Sequence, residues 1–264
     1  MAGSELRYGS LFSGIGGIDL GLDLAGFECA WQVEVDEHCR RILEQHWPKV
    51  PKYKDIYEVK GEEIEPVDIL CGGFPCQPVS QAGKRVGVDD ERWLWDEFNR
   101  LICELRPRWV VAENVTGLFS ANSGRAFAGV LRDLAKSGYD VVWDVFPAGG
   151  PGGVGAPHKR ERVFIVAKLA DTKGKRHGRR TGKKRRIKRR KFQQSKQRWS
   201  EVGSKVERCS EPHGEKQNWE TEPRILRMAD GISNWVDRLK GLGNAVVPQI
   251  PAVLGRAILE VHNG

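Results

Sequence analysis

A chain of 264 residues, 39% of them hydrophobic, is long enough for one large domain with its own core. It holds no apolar run of about 18–20 residues, the length that a membrane helix needs, and its first residues lack the charged-then-apolar pattern of a secretion signal, so a cytoplasmic protein off the membrane is expected. The net charge of +8 is concentrated: 13 of the 43 Lys/Arg fall between Lys173 and Lys191, where there is no acid, and the remainder holds 30 basic against 35 acidic residues. Such a run is either a solvated tract or a contact for a polyanion. The six cysteines (Cys29, Cys39, Cys71, Cys76, Cys103, Cys209) form no CxxC pair and no Cys/His spacing suited to zinc, so neither a metal nor a disulfide framework is expected.

In chain order, Tyr8 to Phe12 reads as a strand running into Phe12-Ser13-Gly14-Ile15-Gly16-Gly17 and then a helix from Ile18 to Ala25, closed by Gly26. Strand, glycine turn and helix start can face backbone N–H groups toward a ligand, though a tight structural turn has the same sequence. Cys29 to Val33 reads as a second strand ending at Glu34. An acid placed there, about 20 residues beyond the glycines, suits a ribose diol, the plain alternative being a surface glutamate. Glu37 to Trp47 is an amphipathic helix, ended by Pro48 and Pro51, and Asp55-Ile56 is placed at the close of a third strand.

Val67 to Leu70 is a buried strand that stops at Gly72-Gly73 before Phe74-Pro75-Cys76-Gln77. Two glycines free the backbone and a proline stiffens it just ahead of the thiol, at the carboxyl end of a strand, where open α/β sheets hold their ligands. Cys76 is therefore either a nucleophile or a structural thiol in a turn. The polar stretch Gln81 to Glu91 reads as a lid or binding loop. A helix from Trp93 to Leu105 follows, then a strand Trp109 to Ala112 ended by Glu113-Asn114-Val115, a helix from Phe127 to Ser137, and strands Tyr139–Phe146 and Arg162–Lys168 around a glycine-rich turn. This alternation gives an α/β fold with a mainly parallel sheet. From Asp171 to about Glu222 the chain is polar, basic and short of aliphatic residues, an insertion that buries little surface by itself. Regular structure is expected again at Arg224 to Met228, and a last helix at Gln249 to Val261 after the turn Gly241 to Pro248.

Taken together, Phe12-Ser13-Gly14-Ile15-Gly16-Gly17, Gly73-Phe74-Pro75-Cys76-Gln77, Glu113-Asn114-Val115, Arg160-Glu161-Arg162 and Gly243-Asn244-Ala245-Val246-Val247-Pro248, in this order, closely resemble the cytosine-C5 DNA methyltransferases of bacteria and phages. The resemblance covers residues 8–168 and about 224–262. It implies the doubly wound, mainly parallel sheet of the S-adenosylmethionine-dependent methyltransferases. Residues 1–170 would form the catalytic and cofactor domain, 171–222 a short irregular basic target-recognition insertion, and 223–264 a segment completing the domain. The implied reaction is transfer of methyl from S-adenosylmethionine, without a metal, to carbon 5 of a cytosine flipped out of double-stranded DNA. A tRNA cytosine methyltransferase and an inactive DNA-binding relative are the alternatives.

The resemblance also assigns residues. Cys76 would be the nucleophile at carbon 6, Glu113 would bind ring N3 and the exocyclic amine, Arg162 would bind O2, and Arg160 would steady the site or reach phosphate. Asn114 would brace the loop. The cofactor pocket would be lined by Phe12, Gly14, Gly16, Gly17, Glu34, Val35, Asp55, Ile56, Pro75, Leu94, Asn244 and Val246, with the Pro75 carbonyl accepting from the cytosine amine. Gln77, Ser80 and the basic residues Lys183, Lys184, Arg185, Arg186, Lys188, Arg189 and Arg190 would touch DNA, the basic run through phosphate, with bases read from among Gln193, Gln194, Gln197, Arg198 and Asn218. Two positions depart from the pattern: Ser10 where many members have an acid, which leaves the glycine turn intact, and His158 where Gln is common, behind Arg160. A monomer on the nucleoid, with a cognate restriction endonuclease as possible partner, completes the expectation.

Overall fold

The computed structural model describes residues 6–75, 93–170 and 245–263. Among these, five parallel strands come first: β1 (Arg7–Leu11), β2 (Glu28–Val33), β3 (Lys52–Tyr53), β4 (Ile69–Gly73) and β5 (Trp109–Val115). The last two, β6 (Tyr139–Pro147) and β7 (Glu161–Leu169), form a hairpin, and β7 inserts antiparallel between β5 and β6. One sheet results, in the order β3-β2-β1-β4-β5-β7-β6. The order reverses at β1, beside β4, the switch point where open α/β sheets place ligands.

The helices are α1 (Gly17–Ala25), α2 (Glu37–His46), α3 (Trp95–Leu105), α4 (Arg125–Lys136) and α5 (Gln249–Asn263). Central strands are covered on both faces and so read as unbroken apolar runs; Val110, Val111 and Ala112 are all fully buried. On one face Leu70, Val110, Ala112 and Ile165 pack against Phe98, Leu101 and Ile102 of α3 and Val130 and Leu134 of α4. On the other, Tyr8, Ile69, Cys71, Val111 and Phe164 pack against Ile18 and Leu22 of α1 and Ile250, Leu254 and Ile258 of α5. Local signals set the helix ends: the Asp36 carboxylate accepts from Cys39 N–H at 3.1 Å to cap α2, and α1 stops at Gly26, whose φ of 95° suits a residue without Cβ.

Three boundaries differ from the sequence reading. The fourth strand, expected at Val67 to Leu70 and stopped by the glycines, is Ile69–Gly73 and includes them. Asp55-Ile56 does not close the third strand, which ends at Tyr53; Asp55 instead caps a short 3-10 turn over Ile56–Glu58, accepting from Tyr57 N–H at 3.0 Å. The fifth strand does not stop before Glu113 but runs through Val115, because β7 continues to pair with it there. Polar residues at the strand's end look like a terminus in the sequence, whereas the ladder carries them on.

The contact between α1 and α5 joins segments far apart in the sequence. A Cβ added at Gly21 would stand 2.4 Å from the Pro248 carbonyl oxygen and 2.7 Å from Pro251 Cβ, and one at Gly255 would stand 2.7 Å from Ala25 Cβ. The missing side chains let the helices approach this closely. Gly21→Ala improves helix propensity by about 1 kcal/mol, but forcing a methyl against backbone costs about 1–3 kcal/mol, so overpacking wins. The variant is expected to melt at lower temperature than the parent in a calorimetric scan.

Candidate active site

The sheet's carboxyl-end edge carries two clusters. At the first, β1 runs into Phe12, whose backbone is left-handed with φ 52°, followed by Gly14 at φ 55° and Gly16 at φ 86°. That conformation costs a residue with a Cβ about 1–2 kcal/mol; packing of the Phe12 ring against Phe98, with centroids 6.3 Å apart, offsets it. Gly14 N–H donates to Glu34 Oε2 at 2.7 Å and Asp36 N–H donates to Oε1 at 2.8 Å, so backbone donors fix the Glu34 carboxylate at the end of β2, beside the glycine turn. A Cβ at Gly14 would meet nothing within 4 Å, so the turn faces open space. A Cβ at Gly17 would stand 2.5 Å from the Val246 carbonyl oxygen, which seats the C-terminal segment directly on the turn. Phe12, Gly14, Gly16, Gly17, Glu34 and Val246 are thus brought together. Val35 is exposed, Ile56 is buried in the core, and Leu94 caps the start of α3.

At the second cluster Glu113 is 7% exposed, near the end of β5. Its register partner on β4 is Gly73, and a Cβ there would stand 2.7 Å from Glu113 Oε2, so glycine makes room for the carboxylate. Because β7 is antiparallel, it brings its start to this edge: Val115 pairs with Arg162 and Glu113 with Phe164. Arg162 therefore lies diagonal to Glu113 on the same face, and its Nε stands 2.8 Å from Glu113 Oε1 as an ion pair without hydrogen-bond alignment. Burial pushes the Glu113 carboxyl up to about 7, while the charges of Arg162 and Arg160 pull the other way. The β6–β7 connection sets Arg160: Ala148 N–H donates to the Arg160 carbonyl at 3.0 Å, and Val154 and Ala156 N–H both donate to the Ala148 carbonyl. Asn114 Nδ2 donates to the Phe74 carbonyl at 2.9 Å, tying β5 to the residue before Pro75. His158 is exposed.

Cys76, Gln77, Ser80, Asn244 and the basic residues Lys183, Lys184, Arg185, Arg186, Lys188, Arg189 and Arg190 lie outside the described residues, as do the expected base readers, the stretch Gln81 to Glu91 and the segment Arg224 to Met228.

Three supports escaped the sequence reading. Ser10 donates to the buried Asp19 Oδ2 at 3.1 Å and accepts from Ser13 Oγ at 2.9 Å, while Gln32 Nε2 donates to Asp19 Oδ1 at 2.8 Å. The buried acid under the glycine turn comes from α1, and burial raises its carboxyl to about 6. Arg100 on α3 donates from Nη2 to the carbonyls of Ile56 and Val59, both at 3.0 Å, and so anchors the Asp55–Ile56 turn. Phe98, also on α3, touches rings of both clusters. Each is a polar or aromatic residue in an ordinary helical pattern, and only the fold discloses its partner.

The profile of the family described as C-5 cytosine-specific DNA methylase matches residues 6–233. The chain belongs to this family. Among curated relatives, Type II methyltransferase M.DsaV of Dactylococcopsis salina is 35% identical over 167 residues, 63% of this chain and 46% of that protein. Type II methyltransferase M.AquIA of Picosynechococcus sp. is 37% identical over 180 residues, 61% of this chain and 71% of that protein. The chain spans about half the length of curated relatives that it matches, 46% and 51% of two of them. A solved putative DNA modification methyltransferase encoded within an E. coli prophage superposes with a TM-score of 0.53 at 29% identity, over 62% of this chain and 47% of that one. Spodoptera frugiperda DNMT2 superposes at 0.52 with 19% identity, over 68% and 54%, a likeness of fold. The sheet and its flanking helices are those of the S-adenosylmethionine-dependent C5 methylases.

The raised Glu113 carboxyl has a consequence for stability. Its value in the folded chain, about 7, exceeds the ordinary carboxylate value of about 4.3, so the fold binds the proton more tightly than the unfolded chain does. That contribution is complete below about pH 4.3 and is lost as pH rises through about 7. Gln cannot ionise. Glu113→Gln should therefore gain stability relative to the parent between pH 5 and 8, by up to about 3 kcal/mol. Urea midpoints of both proteins across that range check it; parallel curves would mean that the carboxyl is not raised.

Proposed function

We propose that this chain is a DNA (cytosine-5-)-methyltransferase that moves methyl from S-adenosylmethionine to carbon 5 of a cytosine flipped from duplex DNA. The observation that carries the reading is the buried Glu113, paired with Arg162 and separated by a single strand, β4, from the glycine turn. The turn suits the cofactor: Gly14 faces open space and the Glu34 carboxylate is held in place by two backbone N–H groups. Phe12 would meet the adenine, Glu34 the ribose hydroxyls, Gly14, Gly16 and Gly17 the methionine portion, and Val35, Asp55, Ile56, Leu94, Asn244 and Val246 the remaining wall. S-adenosylmethionine, when bound, supplies an electrophilic methyl group.

Carbon 5 of cytosine is a poor nucleophile. The Cys76 thiolate adds to carbon 6 and makes the ring enamine-like, so that carbon 5 takes the methyl; loss of the carbon-5 proton and then of the thiol restores the ring. As carbon 6 is attacked, negative charge grows at N3. A carboxyl near 7 is poised to give N3 a proton at neutral pH, and Glu113 has that value. Arg162 holds O2 and keeps the carboxyl oriented, and the Pro75 carbonyl accepts from the exocyclic amine. Extruding the base costs a few kcal/mol. Gln77 and Ser80 approach the opened duplex, and the basic run of the insertion, residues 171–222, supplies phosphate contacts. Residues 1–170 and 223–264 make the catalytic unit. Among the described residues no helix is long and apolar enough to cross a membrane. We place the enzyme, a monomer, on the bacterial nucleoid, with a restriction endonuclease as its counterpart.

Bisulfite sequencing of DNA from a methylation-free host expressing the protein is expected to show 5-methylcytosine within one short sequence. Purified protein that bound DNA without methylating it would be an inactive relative; methyl transfer to tRNA and not to duplex DNA would make it an RNA enzyme. Cys76→Ser should lower turnover at least about a thousandfold while cofactor and DNA still bind. Turnover retained by that variant refutes the assigned nucleophile.

A further inference from the structure

The two clusters on the sheet edge are joined by a row of rings. Phe98 is fully buried on α3, and its centroid is 6.3 Å from that of Phe12 and 6.3 Å from that of Phe74, edge-on to each. Phe74 in turn stands 5.2 Å from Trp95 and 5.7 Å from Trp93, and Trp95 stands 5.6 Å from Phe98. Phe12 is the left-handed residue that opens the glycine turn. Phe74 immediately precedes Pro75, and its carbonyl is the one held by Asn114. Offset aromatic contacts have a preferred geometry, so a ring wedged between two others fixes their relative placement more tightly than an aliphatic side chain of similar volume. The core is close-packed, and a shift at one ring displaces the next.

We propose that Phe98 is a positioning residue that couples the cofactor turn to the Phe74–Pro75 segment, so that the order of one end of the row is felt at the other. The inference rests on the cofactor reading of the glycine turn given above. Phe98 touches neither base nor cofactor; it acts through Phe12 on one side and Phe74 on the other. Cofactor affinity therefore depends on Phe74, which lies at the end of another strand, and does so only while the Phe98 ring stands between them.

A double-mutant cycle read by calorimetric titration of the full chain with S-adenosylmethionine tests this. Phe98→Leu should raise the cofactor Kd about tenfold, and Phe74→Leu about threefold to fivefold. In the Phe98→Leu background, Phe74→Leu should add less than a twofold further change. Leu101→Ala, a cavity in the same helix away from the row's named contacts, should lower the melting temperature but leave Kd within about twofold of the parent. Additive effects of Phe74→Leu and Phe98→Leu, or a Leu101→Ala variant that weakens the cofactor as much as Phe98→Leu does, would overturn the coupling and leave Phe98 as ordinary core. If Leu at position 98 prevents folding, Phe98→Met, near in volume and without a ring, takes its place in the same cycle. A parent chain that binds no S-adenosylmethionine overturns the cofactor reading itself, an outcome distinct from additivity among variants of a parent that binds.

Discussion

A buried carboxylate on β5, seated beside a glycine of β4, is the condition around which the sheet edge is arranged. Glu113 can sit there because its neighbour on β4 is Gly73, which leaves the space that a side chain would fill. It would be intolerable without compensation, since burying a lone charge costs far more than a fold can spare. The compensation is double: the carboxyl is displaced toward its neutral form, and Arg162 stands against it when it ionises. Arg162 arrives only because β7 runs against the direction of its neighbours and presents its first residues, not its last, to this edge. Residue choice on β4, charge on β5 and strand direction at β7 are thus one arrangement. A parallel β7 would bring its last residues there and leave the acid without its cation.

Helix α3 performs a comparable service from the opposite face. It contributes Phe98 to the ring row and Arg100 to the carbonyls of Ile56 and Val59, so one rigid element bears on the glycine turn, on the end of β4 and on the turn after β3. Placing side chains on a packed helix rather than on loops gives positional precision, which is what a site for a transferring methyl group requires. Asp19 extends the same economy to the other face, where a buried acid organises Ser10, Gln32 and, through Ser10, Ser13 beneath the turn.

What could be read in the sequence followed from how local each signal was. The glycine turn and the helical periodicity of α3 are written in consecutive residues, and each recurs in the fold close to its expected bounds, whereas Gly72 and Gly73 do not stop the fourth strand but pair within it. The antiparallel insertion of β7 was not legible, because strand direction depends on which neighbour a strand pairs with and not on its own residues. For the same reason the polar residues Glu113 to Val115 look like a strand's end although the ladder includes them, and Asp55 looks like part of a strand although it caps a turn. At the site, Glu113 and Arg162 stood out through family resemblance, whereas Asp19, Phe98 and Arg100 did not. Their sequence neighbours are commonplace, and what distinguishes them is a partner on another element.

The packing of α5 on α1 bears on how the chain reaches this state. Gly21 meets Pro248 and Ala252 across most of the length of the sequence, and Gly17 meets Val246. Contacts of such separation carry a large loop-closure cost and form late. Until α5 has been made, the face of α1 that carries Ile18 and Leu22 lacks the cover that Ile250, Leu254 and Ile258 supply. The glycine turn is completed by residues far along the sequence, so a chain cut before them would hold the turn without Val246 and expose an apolar helix face in its place. Docking of α5 therefore decides whether the motif after β1 becomes a pocket or a sticky surface.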